Sequence, residues 1–202
     1  MKPFRVAADV ADLPTVTFGQ RGLLWWGTLF FVIIEGWTLS IIVGAYYYVR
    51  QGSVHWPPLH TPLPSLTLPT IQLLVMLASM IPIYFADRAA RRLDKPAVRL
   101  CLTVGALLLM LIAVLRWFEF GSLNVRWDSN AYGSAEWNVL GWHATLIAIE
   151  LGELIGMAAV MYRANVPVKY MSDTADLALY YYYLILVWVP LYVIAYWVPR
   201  LF

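Results

Sequence analysis

The sequence predicts an all-α membrane protein, a polytopic bundle of five transmembrane helices. Of the 202 residues, 61% are hydrophobic and only 13% are charged, a balance typical of a chain that folds in a bilayer. Five apolar runs are each long enough to cross a hydrocarbon core of roughly 30 Å, which takes about 20 helical residues. None of the runs alternates as a barrel strand does, so helices are the structure that pairs their backbone groups in lipid.

The predicted elements are an N-terminal arm and five spans, with a proline-rich stretch between the first two spans. Residues 1–21 form an N-terminal arm without the continuous apolar core of a cleavable signal, and we expect it to remain cytoplasmic. A proline-rich stretch separates the first two spans, and Pro69 opens the second span in the first turn, where proline is tolerated. We treat residues 22–202 as one five-helix membrane domain. The predicted spans are residues 22–49, 66–86, 97–119, 138–162 and 177–198.

The distribution of basic residues predicts the orientation of the bundle. Of the 14 Lys and Arg residues, ten lie in the arm or near the loops that join the second span to the third and the fourth to the fifth. Because basic residues concentrate on the cytoplasmic side of a membrane, we expect a cytoplasmic N-terminus and a periplasmic C-terminus. The predicted location is the bacterial inner membrane.

Composition also limits the possible partners and cofactors. The net charge is only +2, and no basic patch with interleaved aromatic residues stands out, so we expect no nucleic-acid partner. The single cysteine, Cys101, lies in an apolar run, which excludes an intramolecular disulfide and a CxxC motif.

Six ionisable side chains fall inside or at the ends of the predicted spans. Each costs roughly 2.5 to 3.5 kcal/mol on insertion scales, so such groups usually face the bundle interior and find a partner or water. They are Glu35 in the first span, Arg116 and Glu119 at the end of the third, and His143, Glu150 and Glu153 in the fourth.

Three interpretations of these groups remain open. His143, Glu150 and Glu153 are spaced seven and three residues apart, so they can lie along one side of a helix as a polar stripe. With Glu35 they could bind iron, manganese or zinc, although no EXXH pair of the kind found in carboxylate-bridged bundles is present. They could instead form a proton or ion path, or hydrogen-bond across helices and stabilise packing.

Several short motifs occur in a consistent order along the chain. One apolar helix has Glu35 near its centre, and the others follow at loop and span boundaries. They are LWWGTLFFVIIEGWTLSIIVGAYYYVR at 24–50, WPP at 56–58, LPTIQLLVMLAS at 68–79, FEF at 118–120, AYGS at 131–134, LGWHATL at 140–146 and LVWVPLYVIAYW at 186–197.

In this order and spacing, the motifs resemble subunit III of the haem-copper terminal oxidases, the family of cytochrome c oxidase and quinol oxidase. The resemblance implies a short, five-helix form of a fold whose common form has seven helices. Glu35 falls on the buried glutamate of the family. Leu146 takes the place of a histidine, and Tyr182 and Ile185 take the places of a histidine and an aspartate, so we expect Glu150 to supply replacement hydrogen bonds.

The resemblance implies a non-catalytic subunit of an aerobic respiratory complex. With three histidines and one cysteine, the chain cannot hold two haems, a copper and a dicopper site, so we expect no catalytic, cofactor-binding or metal-ligating residue here. Haem and copper would lie in partner subunits, namely catalytic subunit I and subunit II. The implied roles are to stabilise the catalytic subunit, to bind phospholipid and to support proton uptake. Glu35, Glu150 and Glu153 are the candidate carboxylates, with His143, Arg116 and Glu119 as polar partners.

Four alternatives stay open from the sequence. The donor to the complex could be cytochrome c or quinol, which would make the chain a subunit of a quinol oxidase. An accessory membrane protein of a nitric oxide reductase would show the same five-helix pattern. A small independent proton or ion carrier would use the polar stripe, although the chain has no inverted repeat. A metal-dependent membrane enzyme would retain metal after purification.

Overall fold

The structure is a computed structural model that describes residues 16–201. It contains five long helices, each long and apolar enough to cross a membrane, and no strand occurs in this range, which confirms the predicted all-α bundle. A 3-10 turn precedes the first helix, and the fifth continues through a π-helical turn into a last short helix. The helices are α1 (Leu23–Gln51), α2 (Thr67–Arg91), α3 (Lys95–Ser122), α4 (Ala131–Met161), α5 (Lys169–Tyr192) and α6 (Val198–Leu201), and the π-helical turn is Val193–Trp197.

The helices extend beyond the predicted spans. The fourth begins at Ala131 and the fifth at Lys169, seven and eight residues before the predicted positions. Hydropathy finds only the part of a helix that suits hydrocarbon, whereas a helix begins where its first backbone N–H groups are capped. The Asn130 side chain accepts a hydrogen bond from the backbone N–H of Gly133 at 2.8 Å, which explains the early start of α4.

The described end of the predicted N-terminal arm packs against the bundle. The Ser172 hydroxyl donates a hydrogen bond to the carbonyl of Thr17, and the Arg91 guanidinium lies 5.7 Å from the centre of the Phe18 ring. Residues 1–15, the larger part of the predicted arm, lie outside the described range.

The five helices do not contribute equally to the core. Helix α2 packs against α3 and α5, and α3 also packs against α4, whereas α1 contacts α4 and α5. Only Glu35, Leu39 and Tyr46 of α1 are buried, so a narrow strip of this helix faces the bundle. We call the end of the bundle at which α1, α3 and α5 begin the N-side, and the opposite end the C-side.

Candidate functional site

Glu35 lies in the interior of the bundle, on the strip of α1 that faces α5. Its side chain is only 7% exposed, and the Tyr180 hydroxyl donates a hydrogen bond to Glu35 Oε2 at 2.8 Å. At about 1.5 Å per residue, Glu35 lies about 18 Å along α1 from Leu23. The carboxyl group is therefore held near the middle of the bundle by one neutral donor.

An acidic cleft opens towards this pair from the N-side. It has a volume of about 610 Å³ and runs between α1, α4 and α5, with Tyr180 on its wall. Its lining is largely apolar but includes three carboxyl groups, from Glu153, Asp173 and Asp176. Asp176 is buried, and its Oδ1 has no hydrogen-bond partner among the described residues. The cleft thus brings carboxylates and the hydroxyl that binds Glu35 to one surface.

Glu150 lies at a similar depth on α4 but has a different environment. Its side chain is 0% exposed, and neither carboxyl oxygen has a hydrogen-bond partner within residues 16–201. It interacts electrostatically with Tyr180, Tyr181 and Glu153. Tyr181 itself donates to the Ser79 hydroxyl at 2.8 Å. Glu150 is a buried acid without a hydrogen-bond donor.

Arg116 and Glu119 form a buried ion pair towards the C-side. Arg116 Nη1 lies 2.7 Å from Glu119 Oε2, and the two side chains are 2% and 0% exposed. Tyr196 donates a hydrogen bond to the other carboxyl oxygen at 2.6 Å, and the guanidinium lies 3.7 Å from the Trp188 ring centre. Both charges are therefore balanced inside the bundle.

His143 is part of the same cluster and has both ring nitrogens engaged. Nε2 lies 3.0 Å from the Leu184 carbonyl, which can only accept, so Nε2 carries the hydrogen. Nδ1, 3.1 Å from Arg116 Nη2, must then accept from the guanidinium. The ring also stacks on Trp188 with centres 4.6 Å apart. This arrangement favours a neutral histidine with a structural role.

The structure divides the predicted polar stripe of α4 among three environments. His143 binds Arg116, Glu150 is enclosed without a donor, and Glu153 is exposed in the cleft. In the part of the chain that the structure describes, no three His, Cys, Asp or Glu side chains form a group that could hold a metal ion. The site with Glu35, His143, Glu150 and Glu153 as metal ligands is therefore not assembled here.

The expectation that Glu150 replaces lost hydrogen bonds is wrong for the described residues. Leu146 and Ile185, which stand where the family has polar side chains, are both part of the buried apolar core. Apolar side chains that pack in the core occupy these two positions, and the Glu150 carboxyl group accepts no hydrogen bond from the described residues in their place.

A further buried acid, Glu136, was missed by the sequence analysis. It is 0% exposed and accepts a hydrogen bond from the Tyr46 hydroxyl at 3.0 Å, and that hydroxyl accepts one from Trp56 Nε1 at 2.9 Å. The cluster connects α1, the α1–α2 loop and α4 near the C-side. The predicted fourth span began at residue 138, so hydropathy placed Glu136 just outside the membrane domain's core.

Comparison with known proteins gives a consistent result. The family model described as cytochrome c oxidase subunit III matches residues 12–199. The chain is 22% identical to cytochrome c oxidase subunit 3 of Synechocystis sp. (strain ATCC 27184 / PCC 6803 / Kazusa), over 97% of this chain and 88% of the relative. It is 23% identical to the protein of that name from Thermostichus vulcanus, over 86% and 87%, and 25% identical to that from Rattus norvegicus, over 88% and 70%.

Proposed function

Because the chain belongs to the cytochrome c oxidase subunit III family, a family of multi-pass haem-copper oxidase subunits, we propose that it stabilises the catalytic subunit of a respiratory oxidase and supports proton uptake into it. The proposed partners are subunits I and II, which would carry the haem and copper. The names of the relatives favour cytochrome c over quinol as the donor to the complex. The proposed location is the bacterial inner membrane, with the N-side facing the cytoplasm.

The observation that carries the proton-uptake role is the link between the N-side cleft and Glu35 through Tyr180. Tyr180 lines the N-side cleft and also donates to the Glu35 carboxyl group. Carboxylates within a membrane commonly mark proton relays, and Glu153, Asp173 and Asp176 on the cleft wall could collect protons from the N-side surface. The apolar lining of the cleft would accommodate the acyl chains of a bound phospholipid.

The histidines of this chain support a non-redox role. His143 has both nitrogens engaged by Arg116 and Leu184, while His55 and His60 are exposed in the α1–α2 loop. A haem or copper site needs several convergent ligands, and these three side chains lie in separate environments. The chemistry of oxygen reduction therefore belongs to the partner subunits in this proposal.

Glu35 could also act only as a packing contact, and two variants separate these roles. Glu35→Gln keeps an oxygen that can accept from Tyr180 but has no carboxyl group that can take up and release a proton. Tyr180→Phe removes the donor but keeps the carboxyl group. We expect Glu35→Gln to insert normally, because neutralisation lowers the cost of burial, yet to shorten the period over which the purified oxidase sustains turnover and proton pumping.

The controls decide between proton transfer and packing. Glu153→Gln, on the exposed cleft wall, should have a smaller effect than Glu35→Gln. If Glu35→Gln matches the unmodified complex in turnover and proton stoichiometry over prolonged cycling, the proton role is refuted. If Tyr180→Phe alone causes loss of the subunit from the complex, the Glu35–Tyr180 contact is structural.

The partners are tested by gentle purification through a tag on this chain. A reduced-minus-oxidised visible spectrum and mass spectrometry of the copurified proteins and lipids would follow. Haem bands with a histidine-rich large subunit support the proposal, and the haem type with the companion subunits distinguishes a cytochrome c oxidase from a quinol oxidase or a nitric oxide reductase. A colourless chain without partners would contradict it and favour an independent carrier.

A further inference from the structure

Glu150 is a buried carboxyl group that has no hydrogen-bond donor among the described residues. An ionised carboxylate that is buried without a donor or a counter-ion is so unfavourable that such groups are usually neutralised. The side chain is 0% exposed and both its oxygens lack a hydrogen-bond partner among residues 16–201. Because no surface of Glu150 is exposed, a lipid or a partner subunit cannot reach it, and the charge must be removed within the bundle itself.

The groups around Glu150 provide no counter-charge. On α5, Tyr180 and Tyr181 interact electrostatically with Glu150, and both are neutral hydroxyl-bearing groups. On its own helix, Glu153 lies one turn towards the N-side and repels it. Across α5, Ser79 of α2 is bound to Tyr181. The buried positive charge of α3, on Arg116, is already paired with Glu119.

Glu150 and Glu35 share one neighbour. The Tyr180 hydroxyl donates to Glu35 at 2.8 Å and also interacts electrostatically with Glu150. Measured along their helices, Glu35 lies about 18 Å from the N-side end of α1 and Glu150 about 17 Å from the N-side end of α4. The two carboxyl groups thus lie at similar distances from the N-side ends of their helices, and both interact with one tyrosine.

We propose that Glu150 is a second proton-holding carboxyl group, coupled to Glu35 through Tyr180, so that the N-side half of the bundle stores two protons. A proton gained by one carboxyl group changes the field at Tyr180 and hence at the other. This deepens the proposed proton-uptake function and rests on it for its physiological meaning, but the protonation of Glu150 is a separate, measurable property.

Infrared difference spectroscopy of the purified oxidase complex tests this directly. A protonated carboxyl group has a C=O stretch that is separate from the carboxylate bands and shifts in D₂O. We expect Glu150→Gln to remove one such band and Glu35→Gln to remove another, with the double variant lacking both. In each single variant the remaining band should shift, because the electrostatic field at the shared tyrosine changes. Tyr180→Phe should shift both bands.

The matched control is Tyr182→Phe, since Tyr182 lies two residues from Tyr180 on α5 but interacts with Asp87, Tyr84 and Arg91; it should move neither band. The proposal is overturned if Glu150→Gln leaves the protonated-carboxyl region unchanged, or if both bands are insensitive to Tyr180→Phe. Loss of the Glu150 band together with normal turnover of Glu35→Gln would leave this inference intact and refute only the proton-uptake function. If Glu150→Gln leaves the protonated-carboxyl region unchanged while Glu35→Gln impairs turnover, this inference is refuted and the proton-uptake function is supported.

Discussion

At the scale of single residues, Arg116 shows how a membrane bundle accommodates a full charge. The guanidinium has Glu119 as counter-ion, His143 as acceptor and the face of Trp188 beneath it. Removing one member of a buried ion pair leaves the other charge uncompensated, which costs far more than removing both. The stability of this region therefore depends on the pair being complete.

We predict that Arg116→Met destabilises the chain by about 3 to 5 kcal/mol, because it leaves Glu119 buried and unpaired. The double variant Arg116→Met/Glu119→Gln should recover most of that loss. The measurement is the free energy of unfolding by detergent titration. Arg126→Met is the control, since its pair with Asp128 is 76% and 40% exposed and should contribute at most about 1 kcal/mol. Equal losses for the single and double variants would contradict the prediction.

Sequence analysis identified some of these residues and missed others for a physical reason. Glu35, Arg116 and Glu150 interrupt long apolar runs, so hydropathy alone singles them out. Glu136 and Asp176 lie one or two residues outside the predicted spans that began at 138 and 177, although both are buried. The tyrosines that serve as hydrogen-bond donors carry no sequence signal, because an interior donor and an aromatic residue at the membrane interface look alike in a sequence.

At the scale of elements, the start of α4 depends on close backbone packing. A Cβ added at Gly133 would lie 2.2 Å from the Arg126 carbonyl oxygen, so the preceding loop would have to move. The same loop is attached to the helix by Trp137, whose Nε1 donates to the Val125 carbonyl at 2.8 Å. The polar first turn of α4 is thus an ordered part of the bundle.

We predict that Gly133→Ala destabilises the chain by about 1 to 3 kcal/mol, the usual cost of overpacking. Gly141→Ala is a matched control on the same helix, because a Cβ there meets nothing within 4 Å. Thermal unfolding followed by circular dichroism would compare the two. Helix propensity alone predicts a small gain in stability for Gly→Ala inside a helix, so a gain for Gly133→Ala like that for Gly141→Ala would contradict the prediction.

The existence and order of the five helices could be predicted from hydropathy, whereas their ends could not. The caps at Asn130 and Asp94 are made by polar side chains, and a hydropathy scan assigns such residues to loops. The peripheral position of α1 could not be predicted either. Apart from Glu35 its sequence is largely apolar on every side, and a lipid-facing leucine resembles a buried one. Glu35 indicated which side of α1 faces the bundle, but the contacts with α4 and α5 were needed to show how narrow the buried strip is.

At the scale of the whole molecule, the orientation in the membrane remains a prediction that the basic residues support. The N-side loops contain Arg92 and Arg163, and Lys95 near the start of α3 donates a hydrogen bond to the carbonyl of Ala164 at 3.2 Å. Such residues are retained on the cytoplasmic side during insertion. The N-side cleft would then open to the cytoplasm.

We predict that single cysteines in a Cys101→Ser background will react from opposite sides of the membrane. Ser129→Cys, in the exposed C-side loop, should be labelled in intact cells by a membrane-impermeant thiol reagent. Asn165→Cys, in the exposed N-side loop, should be labelled only after the membrane is opened. The reverse pattern would place the acidic cleft on the periplasmic side and remove the proposed route for proton uptake.

The buried charge of Arg116 has a consequence for energy conservation. The bundle has buried acids towards both ends, Glu35 and Glu150 nearer the N-side and Glu119 and Glu136 nearer the C-side, and a chain of such groups could short-circuit the gradient that respiration builds. A fixed guanidinium charge opposes the passage of a proton, and His143, with both nitrogens engaged, has no free site to relay one. In the proposed oxidase, the cluster that stabilises the bundle would therefore also oppose the leakage of protons across the membrane.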